Sequence, residues 1–135
     1  AWPIAAPRII ARPFVAPETA YGAGHRGIDL AATAGTPVYA PADGVIGFSG
    51  TVVDRAVLSV DHGGAVVSSF EPVDSPLAAG SAVHRGELIG VVGIGGHCDA
   101  ACLHFGVRLH GQYVSPLNYL GGIPPPVLLP TRPLP

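Results

Sequence analysis

Short apolar segments, separated by glycine-containing turns, run through the middle of this 135-residue chain. Six of them have the length and the β-branched content of strands: 37–40, 45–50, 57–61, 65–70, 87–93 and 103–109. The sequence Asp61-His62-Gly63-Gly64 between two of these segments is typical of a β-hairpin turn. No stretch of about 12 residues keeps the 3.6-residue apolar period of a helix. The pattern therefore predicts an all-β domain with a small antiparallel sheet as its core.

Prolines are concentrated at both ends of the chain. The first 17 residues contain four prolines and the last 13 contain six. Proline fixes φ and lacks a backbone N–H, so these ends should be extended, either packed along the surface or acting as tethers. We therefore predict a proline-rich N-terminal arm (1–20), a β-sheet core domain (21–121) and a proline-rich C-terminal tail (122–135).

The charge content limits the classes of partner. Charged residues make up 12% of the chain, all seven basic residues are arginine, and the formal net charge is −2. No cluster of arginines offers the phosphate contacts on which nucleic-acid binding depends. A membrane-spanning helix needs about 20 apolar residues, and the longest uncharged run, 111–131, contains five prolines. We expect neither a nucleic-acid partner nor a membrane span in this chain.

Two histidine-containing stretches are candidates for metal binding. In the first, 24–29, a straight strand would separate His25 and Asp29 by about 13 Å, but a turn at Gly27 would bring them together. Imidazole and carboxylate groups are both zinc ligands. In the second, 97–105, His104 lies on a predicted strand and would supply a third ligand. Three protein ligands and one open position are typical of a catalytic zinc site.

The order of these motifs resembles that of the M23 (lysostaphin/LytM-type) zinc metallopeptidases. The stretches His25-Arg26-Gly27-Ile28-Asp29-Leu30 and Leu103-His104-Phe105-Gly106-Val107-Arg108 are similar to the two signature motifs of that family. The glycine-punctuated segments 35–40, 42–46 and 86–90 follow between them in the family's order. The resemblance covers about residues 21–120, most of the chain.

The resemblance implies a fold, a cofactor and a substrate class. The fold is a small antiparallel β-sheet or sandwich core of the LytM type with a groove, and the cofactor is Zn²⁺ held by His25, Asp29 and His104. Family members are mostly exported and cut stem or cross-link peptides of bacterial peptidoglycan. The resemblance therefore implies a zinc metalloendopeptidase in the cell envelope or outside the cell, its signal peptide removed. We also expect the protein to be a monomer.

Two positions depart from the family's pattern. The last family motif is His-x-His, whose first histidine assists catalysis, and this chain has Cys102 there. A further catalytic histidine usually follows an aromatic residue in a Tyr-x-His motif, and the matching stretch, 68–72, contains none. Aligning the aromatic residues places Pro72 at that position, whereas counting back from Gly80 places Glu71 there. Glu71 is our first candidate for a catalytic base, and His97 is the second, because the adjacent 98–102 loop would bring it over the metal.

The pair Cys98 and Cys102 has three interpretations. In an oxidising compartment the two residues would close a short disulfide loop beside the metal-binding strand. In a reducing compartment the Cys102 thiolate would become a fourth zinc ligand and close the site. The third interpretation is a buried free thiol that packs as a small apolar side chain.

Three functional hypotheses follow. The first is an exported zinc metallopeptidase in which a group other than histidine manages the proton. The second is a catalytically degenerate domain that binds cell-wall peptides or regulates a partner hydrolase, since the loss of an acid–base group typically costs about 10²–10⁴-fold in rate. The third is a structural β module stabilised by zinc or by a disulfide.

Overall fold

In the computed structural model, which describes residues 1–19 and 22–120, the chain forms two antiparallel β-sheets. The predicted C-terminal tail, 122–135, lies outside the described residues. The strands of the two sheets are β1 (Ile10–Arg12), β2 (Ile28–Ala31), β3 (Pro37–Tyr39), β4 (Gly44–Val52), β5 (Arg55–Asp61), β6 (Val66–Glu71), β7 (Val73–Asp74), β8 (Ala82–Val83), β9 (Leu88–Val92), β10 (Cys102–Leu109) and β11 (Gln112–Val114). The large sheet has the order β1-β2-β10-β6-β5-β4-β8, with β11 also paired to β10, and the small sheet has the order β3-β9-β7.

The predicted all-β class is confirmed. The six predicted strands are present as β3, β4, β5, β6, β9 and β10, with ends that differ by at most two residues. Five further strands, β1, β2, β7, β8 and β11, were not predicted, because two to four residues are too few to show an alternating pattern. The only helical element in the described part of the chain is one 3₁₀ turn, Pro116–Tyr119. No helix among those residues has the length and apolar character needed to cross a bilayer.

One apolar core joins the two sheets. The large sheet contributes alternate residues of its central strands, including Leu58, Phe70 and Phe105, each 0% exposed. The small sheet contributes Val38 and Ile89 to the same cluster. Strand residues alternate between the two faces of a sheet, so the other face of the large sheet is turned away from this core. We call it the open face.

Residues 1–19 of the N-terminal arm pack along the sheets. Of the two predicted alternatives, they are therefore surface-packed and not a tether. The β1 strand of the arm pairs with β2, and Ile4 is only 3% exposed. The terminal amine of Ala1 donates to the Pro41 carbonyl at 2.7 Å, and the Tyr39 amide donates to the Pro3 carbonyl at 2.8 Å. The arm therefore extends the large sheet at the edge where the candidate site begins.

Candidate metal centre

Strand β10 separates the core from the candidate site. Its residues 103, 105 and 107 are at most 2% exposed and face the core, so alternation places His104 on the open face. Residues directly opposite each other in an antiparallel pair share a face. His104 is opposite Asp29 of β2 on one side and opposite Glu71 of β6 on the other. Three neighbouring strands thus present an imidazole between two carboxylates.

The N-terminal arm fixes the tautomer of His25. Its backbone forms an isolated bridge with Val15, and its Nδ1 lies 2.8 Å from the carbonyl oxygen of Pro13. Because a carbonyl oxygen only accepts, Nδ1 must carry the proton, and Nε2 of the neutral ring keeps a lone pair. This Nε2 atom is buried without a hydrogen-bond partner among the described residues, and it lies 3.3 Å from Asp29 Oδ1. In a neutral ring this lone pair would face a carboxylate oxygen, an arrangement that a cation between them would stabilise.

Asp29 is contacted by two further imidazoles. Its Oδ1 lies 2.8 Å from His104 Nδ1, and its Oδ2 lies 3.0 Å from His97 Nε2. Burial raises the pKa of Asp29, but its hydrogen bonds with His104 and His97 outweigh burial and hold that pKa below the ordinary value. Burial lowers the pKa of His104, although the Asp29 carboxylate opposes this effect. At neutral pH the site contains a carboxylate and a neutral imidazole, the protonation states that metal ligation requires.

The glycine at position 27 makes room for His104. The chain bends at Arg26 and Gly27, as predicted, before it enters β2. A Cβ atom on Gly27 would lie 2.5 Å from the Phe105 carbonyl oxygen and 2.8 Å from His104 Nε2. Any larger residue would push the imidazole or the strand that carries it, so this glycine is needed for close approach.

His97 reaches the cluster from the loop between β9 and β10. Its ring centroid lies 6.0 Å from that of His25 and 5.2 Å from that of His104. The neighbouring Cys98 forms a disulfide with Cys102 at the start of β10, so the first of the three interpretations of the cysteine pair is confirmed. The loop places His97 beside Asp29, with His97 Nε2 3.0 Å from Asp29 Oδ2.

Glu71 lies on the open face and is paired with Arg55. Its Oε1 accepts a hydrogen bond from Arg55 Nε at 3.1 Å. Of the two positions considered above, Glu71 lies opposite His104 on the open face, whereas Pro72 is buried. Sequence analysis missed Arg55, because a cation 16 residues away on a neighbouring strand leaves no local signal.

The four clustered side chains fit a divalent metal ion. The nearest ligand atoms of His25, Asp29, His97 and His104 all lie within 4.8 Å of one another. Imidazole nitrogens with one carboxylate are donors typical of zinc, and the unpartnered, buried Nε2 of His25 is explained by such an ion. The sulfur atoms of Cys98 and Cys102 also lie within 4.8 Å of the ligand atoms of Asp29 and His97, but disulfide-bonded cysteines have no thiolate to offer.

A separate cavity of about 230 Å³ lies on the core side of β10 and contains none of the four clustered residues. Its lining is mostly apolar and includes Phe105, Val107 and Tyr119. His62 and Ser68, which are hydrogen-bonded to each other at 2.7 Å, complete one wall. This cavity is therefore separate from the candidate metal centre.

Comparison with known proteins identifies the family. The model of peptidase family M23 matches residues 23–116, which include all four clustered residues and Glu71. The chain belongs to peptidase family M23. The predicted resemblance is therefore confirmed, and the antiparallel β-fold agrees with this membership.

Three similar proteins differ in their identity to this chain and in how much of their length it covers. Over 129 residues the chain is 36% identical to the uncharacterized protein Rv2891 of Mycobacterium tuberculosis, covering 91% of this chain and 52% of the relative. Over 96 residues it is 40% identical to the DD-carboxypeptidase/endopeptidase Mpg of Neisseria gonorrhoeae, covering 70% of this chain and 22% of Mpg. The crystal structure of a zinc-containing peptidase from Vibrio cholerae is similar with a TM-score of 0.72 and 25% identity, covering 84% of this chain and 37% of that protein.

These relatives support a peptidase-like, hydrolytic role and a metal cofactor for the M23 chain. The chain spans about half the length of the mycobacterial relatives that it matches.

Proposed function

We propose that this protein is an exported zinc metalloendopeptidase that hydrolyses peptide bonds of bacterial peptidoglycan. The observation that carries the proposal is the convergence of His25 Nε2, Asp29 Oδ1 and His104 Nδ1. The two nitrogens lie 3.3 and 2.8 Å from the same carboxylate oxygen. These three residues would hold the ion and leave one position open to the substrate. When bound there, zinc would supply a Lewis acid that polarises the peptide carbonyl and lowers the pKa of water.

The remaining chemistry is the movement of one proton. Hydrolysis adds the OH of a water molecule to the carbonyl carbon, and the remaining proton of that water goes to the departing amine nitrogen as the C–N bond breaks. Glu71 is the carboxylate on the open face next to His104. It would accept this proton from the water molecule and pass it to the amine. Arg55 bonds its Oε1, which orients the side chain and leaves Oε2 for the proton.

The family and the disulfide support the substrate class and the location. Mpg is named as a carboxypeptidase and endopeptidase, which supports a peptide substrate for this chain, and the M23 resemblance favours stem or cross-link peptides of the cell wall. Disulfides such as Cys98–Cys102 persist in oxidising compartments outside the cytosol, which supports export to the cell envelope or the medium.

A second candidate function is binding without cleavage, either of cell-wall peptides or of a partner hydrolase. Two observations favour it. Cys102 is held in a disulfide at the position where the family has an assisting histidine, and Glu71 is engaged in an ion pair with Arg55. A proton on Glu71 would remove the negative charge that this ion pair depends on, and that cost would slow turnover.

The deciding experiment incubates the zinc-loaded protein with purified peptidoglycan and its cross-linked peptides and measures newly released amino groups. We expect release by the wild type, loss after chelation, recovery with added zinc, and no release by a His104→Ala variant. His84→Ala is the matched control, because this side chain is 85% exposed and lies outside the cluster. Stoichiometric zinc with saturable peptide binding and no release would favour the second function. Release that survives both chelation and His104→Ala would reject the zinc peptidase.

A further inference from the structure

His97 differs from the other imidazoles of the cluster in its exposure. Its side chain is 44% exposed, whereas those of His25 and His104 are 6% and 14% exposed. Its Nε2 contacts both oxygens of Asp29, at 3.0 and 3.1 Å. His97 therefore lies on the solvent side of the cluster, where an incoming peptide must pass, while the other two imidazoles lie beneath it.

The disulfide connects His97 to the metal-binding strand. Cys102 lies two residues before His104, so the two side chains point to the same face of β10. The bond from Cys102 to Cys98 fixes the residue that follows His97, and both cysteines are buried, at 8% and 4% exposure. The Cys102 side chain thus points towards the site, and its disulfide holds the loop that carries the His97 imidazole.

The remainder of the loop is held by contacts that require its sequence. The Gly95 amide donates to Asp99 Oδ1 at 3.2 Å, and the Asp99 amide donates to the Gly95 carbonyl at 3.1 Å. Gly95 has φ +101°, and a Cβ atom there would collide with the carbonyl oxygen of Asp54. The loop is therefore packed against the β4–β5 hairpin on one side and linked to β10 on the other. These contacts restrain the backbone on either side of His97, while its half-exposed side chain can still rotate.

We propose that the Cys98–Cys102 disulfide positions His97 so that it replaces the assisting imidazole that position 102 lacks. In this arrangement His97 is not a metal ligand. Its Nε2 is held by Asp29 in the resting protein and turns to hydrogen-bond the carbonyl group of the bound peptide, which stabilises the charge that develops on that oxygen. This inference rests on the proposed peptidase function and assigns one residue and one covalent bond to substrate recognition.

The first test distinguishes an assisting role of His97 from a role as a metal ligand. In the cobalt-substituted protein, His97→Ala should leave both the metal stoichiometry and the visible absorption spectrum unchanged, because the number of ligands is the same. His104→Ala should lose the metal or change the spectrum. Loss of cobalt or a changed spectrum in His97→Ala would overturn the proposal and make His97 a fourth ligand.

The second test uses turnover. For zinc-loaded His97→Ala we expect kcat on cross-linked peptides to fall about 10²–10⁴-fold, with partial recovery on addition of free imidazole and a smaller loss for His97→Gln. A residue with only a structural role would not respond to imidazole. His84→Ala is again the control, and an unchanged kcat in His97→Ala would overturn the proposal.

The third test addresses the disulfide and does not require turnover. Acetohydroxamate, a small metal-binding amide analogue, should bind several-fold more weakly to the cobalt forms of His97→Ala and of the Cys98→Ala/Cys102→Ala double variant. Asp99→Ala, which loosens the loop but keeps the disulfide, should show an intermediate effect and replaces the double variant should that one fail to fold. If the wild type binds acetohydroxamate through His97 but never cleaves peptides, only the proposed function fails. Equal affinities in the wild type and His97→Ala would overturn the inference itself.

Discussion

Asp29 Oδ1 lies 2.8 Å from His104 Nδ1, although 75 residues separate them in the chain. The contact follows from the direct pairing of β2 with β10, which places the two residues opposite each other on one face of the sheet. The His25 ring is placed on the same carboxylate by the bend before β2. The β2–β10 pairing and the bend before β2 thus combine to form one cluster of metal-binding donors.

Metal binding should depend on the three predicted ligands. We expect the wild type to bind one zinc ion per chain, whereas His25→Ala and His104→Ala should each weaken binding by orders of magnitude, because one of three donors is lost. Metal content after dialysis against a weak chelator measures this, with His84→Ala as the control. Full zinc occupancy in both ligand variants would show that the ion binds elsewhere.

Glu71→Gln should slow hydrolysis without removing the metal. The amide cannot accept a proton, so we expect kcat to fall about 10²–10⁴-fold with little change in zinc content. Asp54→Asn is a suitable control, because Asp54 also lies near Arg55, at 3.6 Å, but is 64% exposed. Equal rates for Glu71→Gln and the wild type would remove Glu71 from the mechanism.

Gly27→Ala should disturb the fold and the metal centre together. The added methyl group would meet the Phe105 carbonyl oxygen at 2.5 Å and His104 Nε2 at 2.8 Å, so we expect a loss of stability of about 1–3 kcal/mol and weaker zinc binding. Thermal unfolding and zinc titration measure the two effects. Gly47→Ala is the control, because the atom nearest to a Cβ there would be Ser59 Oγ, at 3.3 Å. A Gly27→Ala variant as stable as Gly47→Ala would contradict the close approach.

The N-terminal arm should contribute to metal affinity. Deletion of residues 1–13 removes the Pro13 carbonyl that fixes the His25 tautomer, and loss of such an outer partner typically weakens metal binding about 10–100-fold. Ile4→Ala is the control, because it removes a buried side chain of the same arm and keeps that carbonyl. Zinc titration of both proteins makes the comparison, and equal zinc affinities would contradict a role for Pro13.

The metal-free protein should become less stable in acid. Burial lowers the pKa of His104 below its ordinary value of 6.5, so the unfolded state binds more protons than the folded state, and stability falls as the pH drops below about 6.5. The lowered pKa of Asp29 acts in the same direction further into acid, because that stabilisation is lost as the pH falls through its folded-state pKa. Urea unfolding of the metal-free protein between pH 8 and 5 measures the effect. A stability that rises on acidification over this range would contradict the lowered pKa of His104.

Much of the fold and of the centre follows from local sequence. Glycine-bounded β-branched segments identified six strands to within two residues at each end, because alternation and turn chemistry act over a few neighbouring residues. The motifs around His25, Asp29 and His104 indicated both the family and a zinc-type donor set. The cysteine spacing allowed a disulfide, which the structure contains.

Only the tertiary structure decided how the remaining groups meet. Pairing of β6 with β10 placed Glu71 opposite His104, and the β4–β5 hairpin brought Arg55 to Glu71. Packing of the arm supplied the Pro13 carbonyl to His25, and the 98–102 loop placed His97 beside Asp29. The sequence alone determined which side chains have suitable chemistry and which segments form strands, because those depend on residue type and local periodicity. Contacts between segments depend on strand register and on the packing of the whole chain, which no local pattern encodes.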